Sequence, residues 1–505
     1  MIKVFTPPQN EFAIEQFLNY DNTYEQLYDV YINNKKIDLF AARVSAMPFN
    51  TWWPGHQRPL NQTEISSFLS IEADEAIDIE IVPKKEFNEV AIRPLSKKIN
   101  HKIENGKIIA RFENAGQYTV EPFGRHNALH IFINPPKTYE ITPAGEDVIY
   151  FGAGVHNIGL IEMKSNQTLY IDENAVVYGH IHAIDADNIR ILGRGILDSS
   201  KLIEDPSKEL DPELFDDIVH DAERDGTLVF EYCTNLYIEG ITIRDPLFLC
   251  LRPIACENVK IDNVKIIGCW RYNADGIDFI NTKNALVSNC FVRSFDDSLC
   301  VKGFYFLHQG MLFHNRKAYD VADNIYFKNC VVWNDWGHAL EIGIDLCARE
   351  IKNCGFEDCD IIHGTGEMLD VMNCDYAEVY NITYKNIRIE YEKIMQKPTI
   401  QTKENPTFIE DKNSDFYPTL LNVAVIYYKD VSKSGLYRGK IHDITFENIA
   451  VTAAKIPPSI ISGYDAEHKV ANVIIKDFYL NGEKITDFNK SGIEVKEFTE
   501  SIELI

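Results

Sequence analysis

A short phrase that returns along the second part of the chain constrains the fold more than any other feature. The phrase is an Asn or Asp followed by alternating apolar residues, and its clearest copies carry Asn188, Asn235, Asn258, Asn284 and Asn324. Asn235 and Asn258 are 23 residues apart, and Asn258 and Asn284 are 26 apart. A repeat of roughly 20–50 residues built from short strands without helical spacers is typical of a solenoid. We therefore predict a parallel β-helix with about three short strands in each coil.

The repeated asparagines and the cysteines both fit structural positions in such a coil. An Asn in a turn can hydrogen-bond backbone groups or the next Asn along the solenoid. The chain has 11 cysteines, all between Cys233 and Cys374. We predict that six of them replace small apolar residues in the interior stack, namely Cys269, Cys290, Cys300, Cys330, Cys354 and Cys359. A zinc cluster of Cys354, Cys359, Cys374 and His363 is disfavoured because its spacing matches no common zinc motif.

Residues 1–135 follow a different pattern. Apolar residues alternate with polar ones in short runs near positions 28–40, 76–85, 106–113 and 128–136, and turn residues such as Asn105-Gly106 separate the runs. This pattern predicts an antiparallel β-sandwich. Pro135 and Pro136 cannot continue a sheet ladder. We therefore place a sandwich domain at residues 1–135 and a β-helix domain at residues 136–505.

Composition narrows the partners and the location. Of the 505 residues, 45% are hydrophobic and 25% charged, which is the balance of a folded protein. A net charge of −26 disfavours nucleic acids and anionic membranes, and no apolar run reaches the roughly 18 residues of a membrane span. Unpaired cysteines and a start without a signal-peptide pattern indicate a cytoplasmic protein, or a secreted one if a leader has been removed. We predict no metal and no nucleotide cofactor, and a homo-oligomer remains open.

Two acidic phrases lie one coil apart. Asp275 and Asp278 belong to the first phrase, Asp296 and Asp297 to the second, and 21 residues separate Asp275 from Asp296. One-coil spacing stacks side chains on the same face, so Asp275, Asp296 and Asp297 are expected to converge and at least one pKa to rise. A protonated carboxyl beside an ionised one suits glycoside hydrolysis, and an inverting pair is expected to lie roughly 6.5–9.5 Å apart. The alternative is that these acidic pairs only end turns or bind calcium.

A histidine follows the acidic phrases at the next repeat. His338 lies 41 residues after Asp297, which is one coil plus an insertion at residues 303–319. At that position His338 can hydrogen-bond a neighbouring carboxylate or a sugar hydroxyl and adjust the proton balance.

These residues resemble a known group of enzymes. Asn273-Ala-Asp-Gly-Ile-Asp278, the Asp296-Asp297 pair followed by Lys302, and Gly337-His338 before Ile342-Gly343 resemble the polygalacturonase-type clan of glycoside hydrolases, family 28. They also resemble the related dextranase and isopullulanase family. The resemblance implies a β-sandwich joined to a right-handed parallel β-helix, and an inverting mechanism. It implies that Asp296 is the general acid, that Asp275 and Asp297 hold the water, and that His338 assists.

The chain departs from the pectin-cleaving pattern at the sugar-binding positions. Pectin-cleaving members carry an Arg-x-Lys that binds the galacturonate carboxylate, and the matching stretch here, residues 366–371, contains Asp370 instead. Glu341 also replaces a small residue. Acidic residues in place of basic ones favour a neutral sugar, although Lys302 keeps pectic fragments open. The candidates for substrate binding in this domain are Lys302, Asp278, Glu341, Trp336 and Asp370.

The sandwich part contains one unusual phrase, and the β-helix part three long interruptions. Trp52, Trp53, His56 and Arg58 either stack on a sugar at the active face or form a buried loop at the domain junction. Segments 201–226, 303–319 and 391–436 break the repeat, and we expect them to close one end of the cleft for exo action.

The sequence thus predicts an enzyme that hydrolyses a glycosidic bond in an oligo- or polysaccharide with inversion, without a cofactor. Two other classes remain open at this point. One is a β-helix lyase, epimerase or glycosyl transferase, and the other is a non-catalytic carbohydrate-binding β-helix protein.

Overall fold

The computed structural model describes residues 2–9, 11, 25–46, 63–202, 226–304, 320–391, 399–400, 409–410, 417–429, 431–432, 434–435 and 437–505. Within these ranges the chain is almost entirely β-structure. One short α-helix, α1, spans Phe488–Ser491, and 3-10 turns span Leu95–Lys97 and Ser200–Leu202. No helix in the described part of the chain is long and apolar enough to cross a membrane.

The described residues up to position 134 form eleven strands. They are β1 (Ile2–Val4), β2 (Tyr28–Ile32), β3 (Lys35–Ile37), β4 (Phe40–Ser45), β5 (Thr63–Ala73), β6 (Ile77–Pro83), β7 (Ala91–Arg93), β8 (Asn100–Glu104), β9 (Lys107–Phe112), β10 (Gly116–Arg125) and β11 (Leu129–Asn134).

These strands form two sheets that pack face to face. One sheet has the order β1-β5-β11-β10-β7 with β4 also on β5, and the other has the order β3-β2-β6-β9-β8. Neighbouring strands are antiparallel except β5 and β11, which run parallel. Alternate side chains of both sheets, such as Leu69, Ile79 and Val120, meet in a shared apolar core. The predicted β-sandwich is confirmed, with one parallel pair that the sequence did not indicate.

The strands that follow belong to one sheet of thirty strands. They are β12 (Val148–Phe151), β13 (Gly154–Met163), β14 (Thr168–Ile171), β15 (Ala175–Ile184), β16 (Arg190–Gly193), β17 (Ile196–Asp198), β18 (Leu228–Glu231), β19 (Thr234–Glu239), β20 (Thr242–Arg244), β21 (Leu251–Ile254), β22 (Glu257–Asp262), β23 (Lys265–Ile267), β24 (Ile277–Ile280), β25 (Lys283–Ser288), β26 (Phe291–Ser294), β27 (Leu299–Gly303), β28 (Val321–Lys328), β29 (Val331–Asn334), β30 (Leu340–Leu346), β31 (Glu350–Glu357), β32 (Asp360–His363), β33 (Glu367–Asn373) and β34 (Glu378–Glu390). After the separate hairpin β35 (Thr399–Ile400) and β36 (Ile409–Glu410), the sheet continues with β37 (Thr419–Val425), β38 (Lys440–Thr452), β39 (Ser459–Ser462), β40 (Val470–Leu480), β41 (Glu483–Ile485), β42 (Ile493–Val495) and β43 (Thr499–Leu504).

The pairing of these strands makes the sheet a solenoid. Over the central coils each strand pairs in parallel with the third strand after it, as in the series β19, β22, β25 and β28. Three strands therefore complete one coil, and successive coils stack strand on strand. The fold is a right-handed parallel β-helix that follows an N-terminal β-sandwich, as the sequence predicts.

The repeated asparagines occupy a left-handed turn in each coil. Asn235 and Asn258 have φ angles of 55° and 59°, a conformation that Asn tolerates better than most residues. The Asn235 side-chain amide donates to Asn188 Oδ1 at 3.0 Å, and the Asn324 amide donates to Asn284 Oδ1 at 2.9 Å. The predicted ladder of asparagines is confirmed.

The interior of the solenoid is an apolar stack that includes most of the predicted cysteines. Cys269, Cys290, Cys330, Cys354 and Cys359 are buried in it. Cys300 is buried but faces the other side of its strand, because its neighbours Leu299 and Val301 fill the interior and side chains alternate along a strand. The prediction for Cys300 was therefore wrong. All eleven cysteines are free thiols.

The sandwich packs against one side of the solenoid. Phe40, Phe68 and Phe132 of the sandwich share an apolar cluster with Phe291 and Trp333 of the coils. The coil strands at this contact include β26, β29 and β32. The turn after β26 carries Asp296 and Asp297, the turn after β29 carries His338, and the turn after β32 leads to Glu367 at the start of β33. The domain contact therefore lies just behind the candidate site.

Candidate active site

The candidate residues sit in turns at the same height of successive coils. Asp275 lies in the turn before β24, Asp296 and Asp297 in the turn before β27, and His338 in the turn before β30. Glu367 opens β33 in the next coil. Because the coils stack in register, these turns lie above one another, and the one-coil spacing read from the sequence becomes spatial proximity.

Beneath the turns runs a row of side chains that point away from the apolar interior. Paired positions in successive strands place Asp278 beside Cys300, Cys300 beside Glu341, Glu341 beside Asp370 and Asp370 beside Asn422. Their neighbours along each strand fill the interior. We call this row the floor file, and all five of its members are buried.

Lys302 is the cation at the centre of the acidic residues. Its Nζ lies 2.9 Å from Asp275 Oδ2, 2.8 Å from Asp297 Oδ2 and 3.2 Å from Asp278 Oδ1. Lys302 itself is 5% exposed. One buried ammonium group therefore binds three carboxyl groups, which leaves an excess of negative charge if all three are ionised.

A glycine makes room for the paired aspartates. Gly337 has φ +68°, and a Cβ atom there would overlap an oxygen of Asp296 and lie 2.6 Å from Asp297 Oδ1. Both carboxyl groups therefore face the same point above Gly337. They lie closer together than the roughly 6.5–9.5 Å typical of an inverting pair. The predicted separation of roughly 6.5–9.5 Å concerns an acid and a base one coil apart, such as Asp296 and Asp275, and it stays a prediction.

His338 is surrounded by carboxylates. Its Nδ1 lies 2.7 Å from Glu341 Oε1 and 2.9 Å from Asp370 Oδ2, and its Nε2 lies 3.2 Å from Glu367 Oε2. Burial lowers the pKa of His338, but the three carboxylates outweigh it and hold the pKa well above its usual value. This shift favours the imidazolium form of the ring. Its backbone N–H also donates to Asp297 Oδ1 at 2.9 Å.

The two paired aspartates titrate in opposite directions. Burial and the adjacent Asp297 raise the pKa of Asp296 well above its usual value. Burial also acts to raise the pKa of Asp297, but Lys302 and His338 outweigh it and hold the pKa below its usual value. These opposite shifts favour the protonated form of Asp296 and the ionised form of Asp297.

The remaining acids of the cluster hold protons more tightly than usual. Burial raises the pKa of Asp275 and of Asp278, against the opposing effect of Lys302. Burial and Asp297 raise the pKa of Glu341 to about 8. A carboxyl that can donate a proton therefore stands beside one that can accept it, which is the arrangement that acid–base cleavage of a glycosidic bond needs.

Comparison with known proteins agrees with this chemistry. The family model for glycosyl hydrolases family 28 matches residues 219–499, which include all four candidate catalytic residues. The chain belongs to glycosyl hydrolase family 28. It is a glycoside hydrolase, and the resemblance read from its sequence is confirmed. A search of curated proteins finds no match.

The chain is similar to several solved structures, and the first of those named here supports the fold. Dex49A from Penicillium minioluteum is 14% identical, with a TM-score of 0.58 over 96% of this chain and 95% of that chain. A hyperthermoactive exopolygalacturonase from Thermotoga maritima is 17% identical, with a TM-score of 0.45 over 70% of this chain and 82% of that chain. A family 28 exopolygalacturonase from Yersinia enterocolitica is 14% identical, with a TM-score of 0.40 over 92% of this chain and 99% of that chain.

Four residues predicted to bind substrate are buried beneath the site in this family 28 protein. Asp278, Glu341 and Asp370 have no exposed surface, and Lys302 is enclosed by three aspartates. The alternation of each strand places them beneath the turns that carry Asp275, Asp296, Asp297 and His338. Their part in substrate binding stays a prediction.

Trp336 remains a candidate for sugar contact. The structure does not describe Trp52 and Trp53. Trp336 is half-buried, and its ring centroid lies 5.7 Å from that of Tyr272 and 5.5 Å from that of Phe295. This aromatic group adjoins Asp296. Trp52, Trp53, His56 and Arg58 lie outside the described residues, as do most of segments 201–226, 303–319 and 391–436. Their roles stay predictions.

Two site residues were not singled out from the sequence. Glu367 faces His338, and the Asn273 amide donates to Asp296 Oδ2 at 3.4 Å. The signal for Glu367 was present. Glu367 precedes Asp370 by three residues just as His338 precedes Glu341 by three, so both pairs stack in adjacent coils.

Three of these side chains also have the spacing of metal ligands. Possible ligand atoms of Asp297, His338 and Glu341 lie within 4.8 Å of one another. Both ring nitrogens of His338 face carboxylate oxygens, an arrangement that ion pairs of a protonated ring also explain. The absence of a metal stays a prediction.

Proposed function

We propose that the protein hydrolyses the glycosidic bond of a neutral oligo- or polysaccharide with inversion at the anomeric carbon. The observation that carries the proposal is the convergence of the Asp296 and Asp297 carboxyl groups on one gap above Gly337, where Lys302 and the His338 backbone N–H contact Asp297. The opposite pKa shifts of the two carboxyls agree with an acid beside a base. The exposed edge of this pair lies beside the aromatic group of Trp336 and Tyr272, which offers a surface for a sugar ring.

In the proposed reaction Asp296 gives its proton to the leaving glycosidic oxygen as the bond from that oxygen to the anomeric carbon breaks. A water molecule attacks the same carbon from the opposite face and loses a proton to a carboxylate. Asp275 and Asp297 flank the water. Asp275 Oδ1 is buried and has no hydrogen-bond partner among the described residues, so a water molecule enclosed beside it would satisfy this oxygen.

Inversion is favoured over a covalent intermediate by the contacts of Asp297. Its Oδ1 accepts from the His338 backbone N–H and its Oδ2 accepts from Lys302. A carboxylate whose two oxygens are both bound to donors is a weak nucleophile, but it still stabilises a water that is losing its proton. The short separation of Asp296 and Asp297 then reflects their shared turn and not an attack by Asp297 on the sugar.

The charge around the site supports a neutral sugar. Glu341, Glu367 and Asp370 surround His338, and Glu367 is the most exposed of the three, with 29% of its side chain accessible. The cation that seemed able to bind a uronate, Lys302, is enclosed by aspartates. A galacturonate carboxylate would therefore meet negative charge, whereas hydroxyl groups can hydrogen-bond to Glu367.

A screen on matched oligosaccharides tests this proposal. The purified protein is incubated with neutral α-glucan oligosaccharides and with pectic oligosaccharides of equal length, and proton NMR follows the anomer that appears first. We expect cleavage of a neutral substrate and release of the inverted anomer, and no cleavage by Asp296→Asn. Preference for the uronates would contradict the neutral-sugar proposal. Retention of configuration, or an unsaturated product that absorbs ultraviolet light, would contradict the mechanism.

We further propose a cytoplasmic location and short imported oligosaccharides as substrates. Support comes from the eleven buried free thiols, which a reducing compartment preserves. Fractionation of the source cells, with the protein detected by antibody, tests the location. Recovery from the culture medium or the periplasm would contradict it.

A further inference from the structure

One strand of the sandwich contacts the ends of two neighbouring coil strands. On β10, the Arg125 guanidinium donates from Nη2 to Asp335 Oδ1 at 2.8 Å. Glu121, four residues earlier on the same strand, places Oε1 2.6 Å from His363 Nε2. All four side chains are almost completely buried. Asp335 and His363 stand at the ends of β29 and β32, where the turns to His338 and Glu367 begin.

Asp335 connects this contact to the turn of the paired aspartates. Its carboxylate also accepts from Trp333 Nε1 at 3.0 Å, and its backbone N–H donates to the Ser294 carbonyl at 3.1 Å. Ser294 ends β26, two residues before Asp296. Asp335 therefore joins two successive catalytic turns while Arg125 holds it from the other domain.

The next residue carries the connection to the catalytic groups. The Asn334 side-chain amide donates to the backbone carbonyl of Asp296 at 2.8 Å and to that of His338 at 3.3 Å. In the same turn the His338 N–H donates to Asp297 Oδ1, and Gly337 leaves the gap for both aspartates. A shift of this turn therefore moves the His338 N–H donor away from Asp297, the proposed base.

We propose that strand β10 of the sandwich positions the catalytic turns, with Arg125 and Glu121 as positioning residues, so that the sandwich is part of the catalytic unit. The inference rests on the proposed function for its kinetic readout. It extends the enzyme beyond residues 219–499, the part that the family 28 model matches.

A second ion pair across the same domain contact provides a control. Arg194 of the solenoid lies 3.1 Å from Glu72 of the sandwich and 2.9 Å from Glu239 of its own domain. Arg194 follows β16, and the active-site turns begin several coils later. Glu72→Gln therefore weakens a buried contact between the domains without touching a catalytic turn.

The experiment compares full-length Arg125→Met, Arg125→Lys and Glu72→Gln with the wild type on the neutral substrate. We expect Arg125→Met to lower kcat by about 10- to 100-fold with little change in KM, because a small misplacement of catalytic groups has that cost. The acid limb of its pH profile should move to higher pH as Asp297 loses the His338 donor. Arg125→Lys should recover part of kcat, and Glu72→Gln should keep both kcat and the profile.

The acid limb of the pH profile also depends on the titratable groups that face Asp297. These are Lys302, His338, Asp275, Asp278, Asp296, Glu341 and Glu367. None of them is changed by the substitutions at Arg125 or Glu72, so a shift of the limb reports the turn.

Hydrogen–deuterium exchange over residues 333–340 gives a readout that needs no activity. We expect faster exchange there in Arg125→Met and wild-type exchange in Glu72→Gln. Wild-type kcat, pH profile and exchange in Arg125→Met would overturn the inference. If Arg125→Met does not fold, the same three measurements on Arg125→Lys decide. If the wild type cleaves no glycan, the proposed function fails, and the exchange result alone decides the positioning role.

Discussion

Two groups of buried charges in this enzyme differ in their balance. Around Lys302, three aspartates share one ammonium group. At the domain contact, Arg194 and Lys137 together bind Glu239, and Glu72 adds a second carboxylate. Burial raises the pKa of Glu239, but its hydrogen bonds with Lys137 and Tyr139 and its pairing with Arg194 outweigh it, so the pKa is lowered. Around Lys302, the effect of burial on the pKa of Asp275 exceeds the opposing effect of the ammonium group, so this pKa is raised.

The comparison teaches how one fold assigns buried charge to two tasks. Where cations and anions match, the carboxylates stay ionised and join the domains. Where carboxylates outnumber cations, some must keep a proton, which is the condition for an acid catalyst. Removing members of each group should therefore have different consequences.

The largest effect is expected at the proton donor. Asp296→Asn should lower kcat by about 10²- to 10⁴-fold, because the amide cannot donate a proton of suitable acidity. The melting temperature should stay equal or rise, because one crowded carboxyl is removed. Steady-state kinetics and calorimetry on the same preparation measure both. A variant that keeps more than a tenth of the wild-type kcat would remove Asp296 from the mechanism.

The next effect is expected at the shared cation. Lys302→Met should lower the free energy of unfolding by about 3–5 kcal/mol at pH 8, because buried carboxylates lose their partner. The loss should be smaller at pH 5, where these carboxyls can protonate. Denaturant unfolding at the two pH values measures it. Lys137→Met, in the balanced group, is the matched control and should cost about 1 kcal/mol or less, since Lys137 is partly exposed. Equal losses for the two lysines would break the comparison.

A smaller effect is expected in the balanced group. Glu239→Gln should lower the free energy of unfolding by about 3 kcal/mol at pH 7, because Arg194 and Lys137 lose a buried partner. The folded pKa of Glu239 is lowered, so its contribution is present at neutral pH and is lost as the pH falls through the folded value. Denaturant unfolding at pH 7 and pH 3 checks the sign. The kcat should not change, and a fall in kcat would mean that the two groups are not independent.

The last effect is expected at Glu341, and it appears only as a dependence of stability on pH. Its pKa of about 8 lies above the ordinary value of 4.5, so the wild type should lose stability as the pH rises between these values. The slope of this loss is at most about 1.4 kcal/mol per pH unit. Glu341→Gln removes this group, and the melting temperature of the variant should gain on the wild type from pH 5 to pH 8. A constant difference would show that Glu341 does not titrate in this window.

The regular parts of the molecule were predictable because local rules specify them. A coil needs a left-handed turn at a fixed interval, and Asn235, Asn258 and Asn284 mark that interval in the sequence. The same interval brought Asp275 next to Asp296. Cys300 shows the limit of such reasoning. The alternation of a four- or five-residue strand can be read in either phase when both faces are buried.

The supporting contacts were not predictable for a different reason. Arg125 and Asp335 are 210 residues apart, and neither belongs to a motif. Their contact depends on how two separately folded domains face each other, which no local pattern encodes. The burial of Lys302 among Asp275, Asp278 and Asp297 likewise follows from the position of the catalytic turns above the strand and not from its own neighbours.

The floor file has a consequence for how such enzymes diversify. Each coil contributes one residue to the floor file. The neighbouring residues of the same strand point inward and fill the apolar interior. An exchange at 278, 300, 341 or 370 therefore alters the charge beneath one catalytic turn while leaving the packing of the solenoid intact. The proton balance of the site can thus change one residue at a time, without a change in the apolar interior of the solenoid.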